Sequence, residues 1–222
     1  MSDKNCLIIF AKEPQLGRVK TRLQNVLTVP QCLRLYKAFL RDTKSIVRQV
    51  DCHLKILAYD SVDGEFPYLK KIFPKFSFYR QKGSHLGTRL PDAIRWAKKQ
   101  GAEKMVIIGS DAPTLPAVTI QQAFTKLVNH DIVLGPSVDG GYYLIGLKFQ
   151  SKKIFQNITW SSSKVLQETL RNIKEQQLSV YLLKKWHDID DAKSLRYLQR
   201  TFLRNGKNAQ WTRKFLQTLP TE

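Results

Sequence analysis

The sequence predicts an α/β domain in three layers, a mostly parallel but mixed central sheet with helices on both faces. Short apolar runs alternate along the chain with stretches of helical periodicity, the pattern of βαβ units joined by right-handed crossovers. Some runs, above all Met105 to Ile108, are apolar without interruption, as expected of strands covered on both faces. No internal repeat or low-complexity linker divides the 222 residues, a length that fits one domain able to bury a core without disulfides or metal.

The elements follow in order. Cys6 to Phe10 (CLIIF) reads as a buried strand. Thr28-Val29-Pro30-Gln31 resembles a capping box with Pro30 at the first helical position. The helix it opens carries Leu33, Tyr36, Phe39, Leu40, Thr43, Val47 and Val50 on one face. Leu54 to Tyr59 and Phe76 to Tyr79 are strands, and Leu90 to Gln100 is a helix stopped by Gly101. After the strand Met105 to Ile108 come a helix from Ala117 to Asn129 and strands from Ile132 to Leu134 and Tyr142 to Leu147. Helices at Ser163 to Ile173 and Asp191 to Leu203 flank a strand from Leu178 to Leu183. The domain is expected over 1–204, followed by a basic extension over 205–222 with Trp211, Phe215 and Leu216 at helical spacing. For that extension, packing back on the domain and contact with a partner both stay open.

Composition narrows the function. No apolar run approaches the roughly 20 residues needed to span a bilayer, and Cys6 to Ala11 lacks the length and cleavage pattern of a signal peptide. A cytoplasmic address is expected. Three cysteines (Cys6, Cys32, Cys52) without paired short spacing suggest neither a disulfide framework nor a zinc site. The 37 Lys and Arg against 18 Asp and Glu give a net charge of +19. The excess is spread along the chain in doublets such as Lys70-Lys71 and Lys184-Lys185, with no arginine-rich run or nucleic-acid module. Solvated surface charge is therefore preferred over specific nucleic-acid recognition.

Ligands of open α/β sheets bind beyond the carboxyl ends of the strands, so the residues released there carry the argument. After the first strand comes Lys12-Glu13-Pro14-Gln15-Leu16-Gly17-Arg18-Val19-Lys20-Thr21-Arg22-Leu23. Glycine lets backbone approach a phosphate, Arg forks two oxygens and Lys supplies a point charge. It is no Walker A loop, and a plain basic loop is the competing reading. After Met105 to Ile108, Asp111 precedes Ala112-Pro113-Thr114-Leu115-Pro116; it lies too early to cap the helix at Ala117 and can hold a hard cation. Asp139-Gly140-Gly141 reads as a hairpin turn or as a pocket wall. In Trp186-His187-Asp188-Ile189-Asp190-Asp191, Asp188 and Asp190 project to one side if extended, and either can complete a metal site with Asp111. Helix capping by Asp190 or Asp191 competes, and His187 is expected to be structural or a surface residue. Neither a serine elbow nor a zincin motif is present.

Taken in order, KEPQLGRVKTRL, AFLRDT, QKGSHLGTRLPDAI, VIIGSDAPTLP, VLGPSVDGGYYLIGL, ITWSSSKVLQETL and WHDIDDAKSL resemble the bacterial glycosyltransferase-like family (the DUF2064 or rSAM-selenodomain-associated transferase type). That family belongs to the nucleotide-diphospho-sugar transferase superfamily of the GT-A fold. The resemblance runs from about Leu7 to about Leu203, and extends more distantly to phospholactate guanylyltransferases and molybdopterin nucleotidyltransferases. It implies a Rossmann-like sheet and metal-assisted transfer with Mg²⁺ or Mn²⁺ as cofactor. Lys20 and Asp111 would be catalytic. Ala11, Lys12, Gly17, Arg18, Lys20, Arg22, Gly87 and Ser110 would bind nucleotide and phosphate. Asp139, Gly140, Gly141, Tyr142, Trp160 and Ser161 would line the sugar or acceptor side, and Asp188 or Asp190 would join Asp111 on the metal. The chain departs from the family pattern at His85, where an acidic residue is usual, and at Asp190 to Leu195, where an Asp-Thr-Pro-Glu-Asp-Leu-like run is usual. These departures bear on the second metal ligand and on selection of base, sugar or acceptor.

The expected function is metal-dependent transfer on a nucleotide diphosphate unit, preferably of a glycosyl group from a nucleotide sugar to a small acceptor. Nucleotidyl transfer from a nucleoside triphosphate to a phosphorylated small molecule is the alternative. A degenerate protein that binds nucleotide or nucleic acid without turnover is the rival from another class. A homo-oligomer is compatible with the sequence.

Overall fold

Apolar, β-branched runs make seven strands and the amphipathic stretches between them make seven helices among the described residues, 4–205 and 208–219 of this computed structural model. They are β1 (Asn5–Lys12), α1 (Val29–Val47), β2 (Leu54–Asp60), α2 (Pro67–Ile72), β3 (Ser77–Arg80), α3 (Leu86–Lys99), β4 (Lys104–Gly109), α4 (Ala117–Lys126), β5 (Ile132–Pro136), β6 (Tyr142–Leu147), α5 (Val165–Glu175), β7 (Val180–Leu182), α6 (Ala192–Asn205) and α7 (Gln210–Leu216). Positions 206, 207 and 220–222 of the expected extension, and 1–3 of the expected domain, lie outside the described residues.

The sheet order is β3-β2-β1-β4-β6-β5-β7. All neighbours are parallel except β6, which is antiparallel to β4 and β5. The fold is thus the expected α/β sheet, mostly parallel but mixed: alternation accounts for its parallel strands, and the β5–β6 hairpin for the antiparallel one. The pleat sends Leu7, Ile9, Leu57, Val106 and Val133 to one face, which α1, α2 and α4 cover, and Cys6, Ile8, Ile56, Met105 and Ile132 to the other, under α3 and α5.

The expected elements form, with instructive differences. Thr28 does cap α1 through a capping box with Gln31, but Val29 is the first helical residue and Pro30 the second. Proline is tolerated there because first-turn N–H groups have no intrahelical partner anyway. Helix α3 starts at Leu86, not at Leu90, so Pro91 sits inside it. The short α2 escapes the periodicity reading because six residues cannot display a helical repeat.

A third cluster decides how the C-terminal extension sits. Leu35, Ala38 and Phe39 of α1 pack with Leu195 and Leu198 of α6 and with Ala209 and Phe215. The single apolar face expected of α1 is therefore joined by a second, with the fully buried Phe39 in this outer cluster. Burying one such side chain contributes about 1.5–3 kcal/mol. The buried carboxylate of Asp42, on the same side of α1, accepts from the backbone N–H groups of Trp211 (3.0 Å) and Thr212 (2.7 Å) and from Thr212 Oγ1 (2.6 Å). The extension folds back on the domain, and a residue 169 positions away supplies the cap for α7.

Candidate active site

The parallel strands β1, β2, β3 and β4 end on one edge, and their loops with those of β5 and β6 enclose a cleft of about 840 Å³. At its centre lies Lys20. It follows Gly17, which turns the loop at φ 76°, and it is itself left-handed at φ 52°. That backbone drives its side chain inward under Phe39, whose ring centroid is 5.0 Å from Nζ. There Nζ lies 2.7 Å from Asp111 Oδ1, 2.7 Å from Asp190 Oδ1 and 2.7 Å from the Ile189 carbonyl.

Each partner has its own reason to be there. Asp111 is released by β4, and its carbonyl accepts from Ile189 N–H at 2.9 Å. The segment from Trp186 to Asp190 runs beside the end of β5, with Trp186 bridging Ser137. Asp191 then caps α6, its Oδ1 accepting from Ser194 N–H at 2.7 Å, which leaves Asp190 for Lys20. Of these carboxylates the cap is therefore Asp191, and Asp190 is engaged by Lys20. His187, expected to be structural or a surface residue, stacks on Tyr197 with ring centroids 3.7 Å apart.

Charge is unbalanced in this cluster. Burial alone would lower the pKa of Lys20, but Asp111 and Asp190 more than reverse this and hold the ammonium protonated. Burial pushes the Asp111 carboxyl up, Lys20 pulls it back, and Asp190 raises it again. Asp188 is pushed up to about 8, first by desolvation and then by Asp111, Asp190 and Asp139. One ammonium therefore serves a group of carboxylates. Lys20, for which the resemblance implies a phosphate contact, has its ammonium enclosed between Asp111 and Asp190.

The remaining sequence-assigned residues fall around this centre. Ala11, Lys12, Arg18, Arg22 and Ser110 line the cleft, and so do Asp139, Gly141, Tyr142, Trp160 and Ser161. Lys12, Arg18 and Arg22 are exposed, so three cations are accessible while Lys20 is not. Asp139 sits in the β5–β6 hairpin turn, where it accepts from Ser137 Oγ and, at 3.0 Å, from Gly141 N–H. Hairpin turn and cleft wall are both correct for this segment. Gly140, at φ 92°, does not line the cleft; a Cβ there would lie 2.2 Å from the Ser163 carbonyl oxygen. Gly17 and Gly87 are likewise not in the wall. Gly87 packs under Trp160, where a Cβ would come within 2.4 Å of the indole Nε1. His85 precedes α3, and it and Trp160 line both the main cleft and an adjoining cavity of about 900 Å³ that Gly87 also lines.

Several cleft residues were not anticipated from the sequence. The Tyr36 hydroxyl accepts from Lys12 N–H at 2.8 Å and lies 3.1 Å from Ser110 Oγ, so α1 ties the ends of β1 and β4 together. At the ends of β2 and β3, Arg89 Nη1 reaches Asp60 Oδ2 at 2.9 Å and Gln81 Oε1 at 3.3 Å, while Gln81 Nε2 donates to the Ala58 carbonyl at 2.7 Å. Asp60 and Gln81 stand at or just beyond strand ends, so the same edge rule that found Asp111 also pointed to them. Among the described residues, no three His, Cys, Asp or Glu side chains form a preformed metal cage, and no helix is long and apolar enough to cross a membrane.

Known proteins share this fold. A family model described as "Uncharacterized protein conserved in bacteria (DUF2064)" matches residues 43–162. A protein of Desulfovibrio desulfuricans G20, provisionally named a nucleotide-diphospho-sugar transferase, superposes with a TM-score of 0.89 at 31% identity, covering 97% of this chain and 94% of its own. Rv0371c of Mycobacterium tuberculosis H37Rv, in complex with manganese, gives a TM-score of 0.55 at 14% identity, covering 87% of this chain and 96% of its own. CMP:2-keto-3-deoxy-manno-octonic acid synthetase complexed with CTP gives 0.55 at 11%, covering 91% and 99%. The last two share the fold. No curated protein shows significant sequence similarity to the chain.

Proposed function

We propose that this chain, which belongs to the bacterial family DUF2064 and whose solved structural relatives are transferases, transfers a group from a nucleotide diphosphate unit with the help of a divalent metal. The observation that carries this reading is the buried Lys20 ammonium between Asp111 and Asp190, with the accessible cations Lys12, Arg18 and Arg22 in the same cleft. A polyphosphate needs both: cations on its outer oxygens and a fixed charge beside the reacting centre.

Asp111, with Asp188 or Asp190, is the donor set that would hold Mg²⁺ or Mn²⁺. The fit rests on charge and chemistry. Asp111 and Asp190 each give one oxygen to Lys20, and Asp188 is pushed toward its neutral form by desolvation and by its acidic neighbours. Three neighbouring carboxylates against the single ammonium that contacts them suit these ions, which commonly take one or two carboxylates and leave other positions to water and phosphate. When bound, such an ion would neutralise charge on diphosphate oxygens. The protein's own groups orient the substrate. Arg18 and Arg22 would grip outer phosphate oxygens, Lys20 would keep Asp111 and Asp190 in place, and Ser110 with the main chain at Lys12 would be held by Tyr36. Asp139, Gly141, Tyr142, Trp160 and Ser161 would receive the sugar or acceptor.

Glycosyl transfer from a nucleotide sugar to a small acceptor is the preferred reaction, supported by the name of the Desulfovibrio relative. Nucleotidyl transfer is the second reading, favoured by the accessible cations Lys12, Arg18 and Arg22, which suit a triphosphate. A thermal-shift screen of nucleoside triphosphates and nucleotide sugars, with and without Mg²⁺ or Mn²⁺, tests both. A ligand at 100 times its Kd stabilises the fold by about 2.7 kcal/mol, about 5–10 °C for a chain of this size. A sugar-nucleotide shift that requires metal supports glycosyl transfer, and a triphosphate-only shift supports nucleotidyl transfer. Metal-independent shifts that persist in Asp111→Asn overturn the metal reading, and no shift with any nucleotide overturns both reactions.

A further inference from the structure

The structure also segregates charge on a face away from the cleft. Arg34, Lys37, Arg41, Lys44 and Arg48 recur along α1 and its C-cap at intervals of three and four, within an arc of about 80° at 100° per residue. They extend over about 21 Å of helix at 1.5 Å per residue. All are exposed or half-buried, and among the described residues none forms an ion pair with a carboxylate. Two of the helices packed beside α1 extend the same sign. Lys70 and Lys71 of α2 are exposed, and α7 adds Lys214. Neither α2 nor α7 contains an acidic residue, and the one carboxylate of α1, Asp42, is buried as the cap of α7. None of these cations lines either large cavity.

Aromatic rings lie among the cations. Lys37 Nζ is 5.0 Å from the Tyr68 ring, Arg41 Cζ is 4.7 Å from the Trp211 ring, and Lys214 Nζ is 5.3 Å from it. Trp211 is nevertheless 37% exposed. A surface that stacks nucleic-acid bases needs open ring faces, whereas here cations stand over them. An indole among long cationic side chains is the chemistry of a membrane interface, where ring edge and ammonium or guanidinium meet lipid headgroups together. A like-charged row with no intervening acid also has a cost from self-repulsion that an extended anionic surface relieves.

We propose that the α1–α2–α7 face docks the protein on anionic lipid surfaces through the Arg34, Lys37, Arg41, Lys44 and Arg48 row, with Trp211 at the interface. The inference is independent of the reaction assigned to the cleft. Each basic residue near an anionic bilayer contributes about fivefold in binding, about 1 kcal/mol.

The test is co-sedimentation of the full chain with phosphatidylglycerol–phosphatidylcholine vesicles and with phosphatidylcholine alone, at low and physiological salt. Binding is expected only with the anionic lipid, and weaker at higher salt. The triple substitution Arg34→Gln, Arg41→Gln, Arg48→Gln is expected to weaken it about 100-fold. Lys99→Gln, Lys153→Gln, Lys174→Gln removes the same charge from exposed positions elsewhere and is expected to change it less than fivefold. Equal losses in the two variants, or binding indifferent to lipid charge, overturn the proposal. So does row-dependent binding of a generic oligonucleotide that exceeds vesicle binding. Thermal unfolding of both variants separates lost docking from lost folding.

Discussion

Ile189 donates its backbone N–H to the carbonyl of Asp111 across 2.9 Å, fastening the loop after β4 to the segment that follows β7. Lys20 ties the same two segments a second time through Asp111 and Asp190. Three parts of the chain remote in sequence thus meet at one ammonium. Removing it leaves Asp111 and Asp190 facing each other without a partner. Breaking a fully buried pair costs about 3–5 kcal/mol, but these carboxylates are 38% and 44% exposed, so Lys20→Met should cost about 1–3 kcal/mol at neutral pH. Urea unfolding at pH 7.5 and pH 5 measures it. The deficit should shrink at the lower pH, because a proton taken up by the unpartnered Asp111–Asp190 pair relieves the repulsion between the two carboxylates. A deficit that is equal at both pH values contradicts the arrangement.

Asp188 makes a prediction of opposite sign. Its folded pKa of about 8 lies above the ordinary carboxylate value of about 3.9, so between those values the folded state binds the extra proton. Stability contributed by this group is therefore lost as pH rises through that window. Asp188→Asn removes the loss. In the absence of divalent metal, the variant should gain Tm relative to the wild type progressively from pH 5 to pH 9, and adding Mg²⁺ should narrow the gap by stabilising the charged wild type. A Tm difference that stays flat with pH would show that Asp188 titrates as an ordinary carboxylate.

These two residues also mark what was legible in the chain. The strands were readable because uninterrupted runs such as Met105 to Ile108 have few other ways to bury themselves, and Asp111 was readable because it follows one of them. The insertion of antiparallel β6 between β4 and β5 was not, since a hairpin read from Asp139-Gly140-Gly141 does not say which of its strands meets β4. Lys20 was legible as a cation of the loop after β1, but not as the partner of Asp111 and Asp190. Its inward course depends on a left-handed backbone that no lysine announces. Tyr36 looked like one more core position in a periodic helix, and only the coordinates show its hydroxyl reaching Lys12 and Ser110. The second buried side of α1 was hidden because α6 and the C-terminal extension that cover it lie far along the chain.

That extension gives a third prediction. Asp42→Ala removes the acceptor of the Trp211 and Thr212 N–H groups and of Thr212 Oγ1. Loss of a helix cap costs about 1–2 kcal/mol. Hydrogen exchange should quicken over α7 and over the α1 turns beneath it, and remain unchanged at Ala11, Ser110 and Asp111 in the cleft. Unaltered exchange at Trp211 and Thr212 would mean that Asp42 does not hold the helix.

Glycine substitutions separate two kinds of backbone demand at the site. Gly17 and Gly140 both have positive φ, 76° and 92°, so each strains when given a side chain, by about 1–2 kcal/mol. Their surroundings differ. The nearest atom to a Cβ at Gly17 is a Val29 methyl at 4.0 Å, whereas at Gly140 it is the Ser163 carbonyl oxygen at 2.2 Å, and Gly140's own carbonyl accepts from Leu166 N–H at 2.9 Å in the first turn of α5. Gly17→Ala should therefore cost only the conformational strain, while Gly140→Ala must also push the hairpin away from α5, at a further cost of about 1–3 kcal/mol for overpacking. Denaturant midpoints give the stability ranking. Because Ser161, Ser163 and Asp139 border the cleft around this contact, Gly140→Ala should also weaken binding at the end proposed for the sugar or acceptor more than binding of the bare nucleotide. Equal midpoints for the two variants would show that the close approach of Gly140 to Ser163 is not maintained in solution.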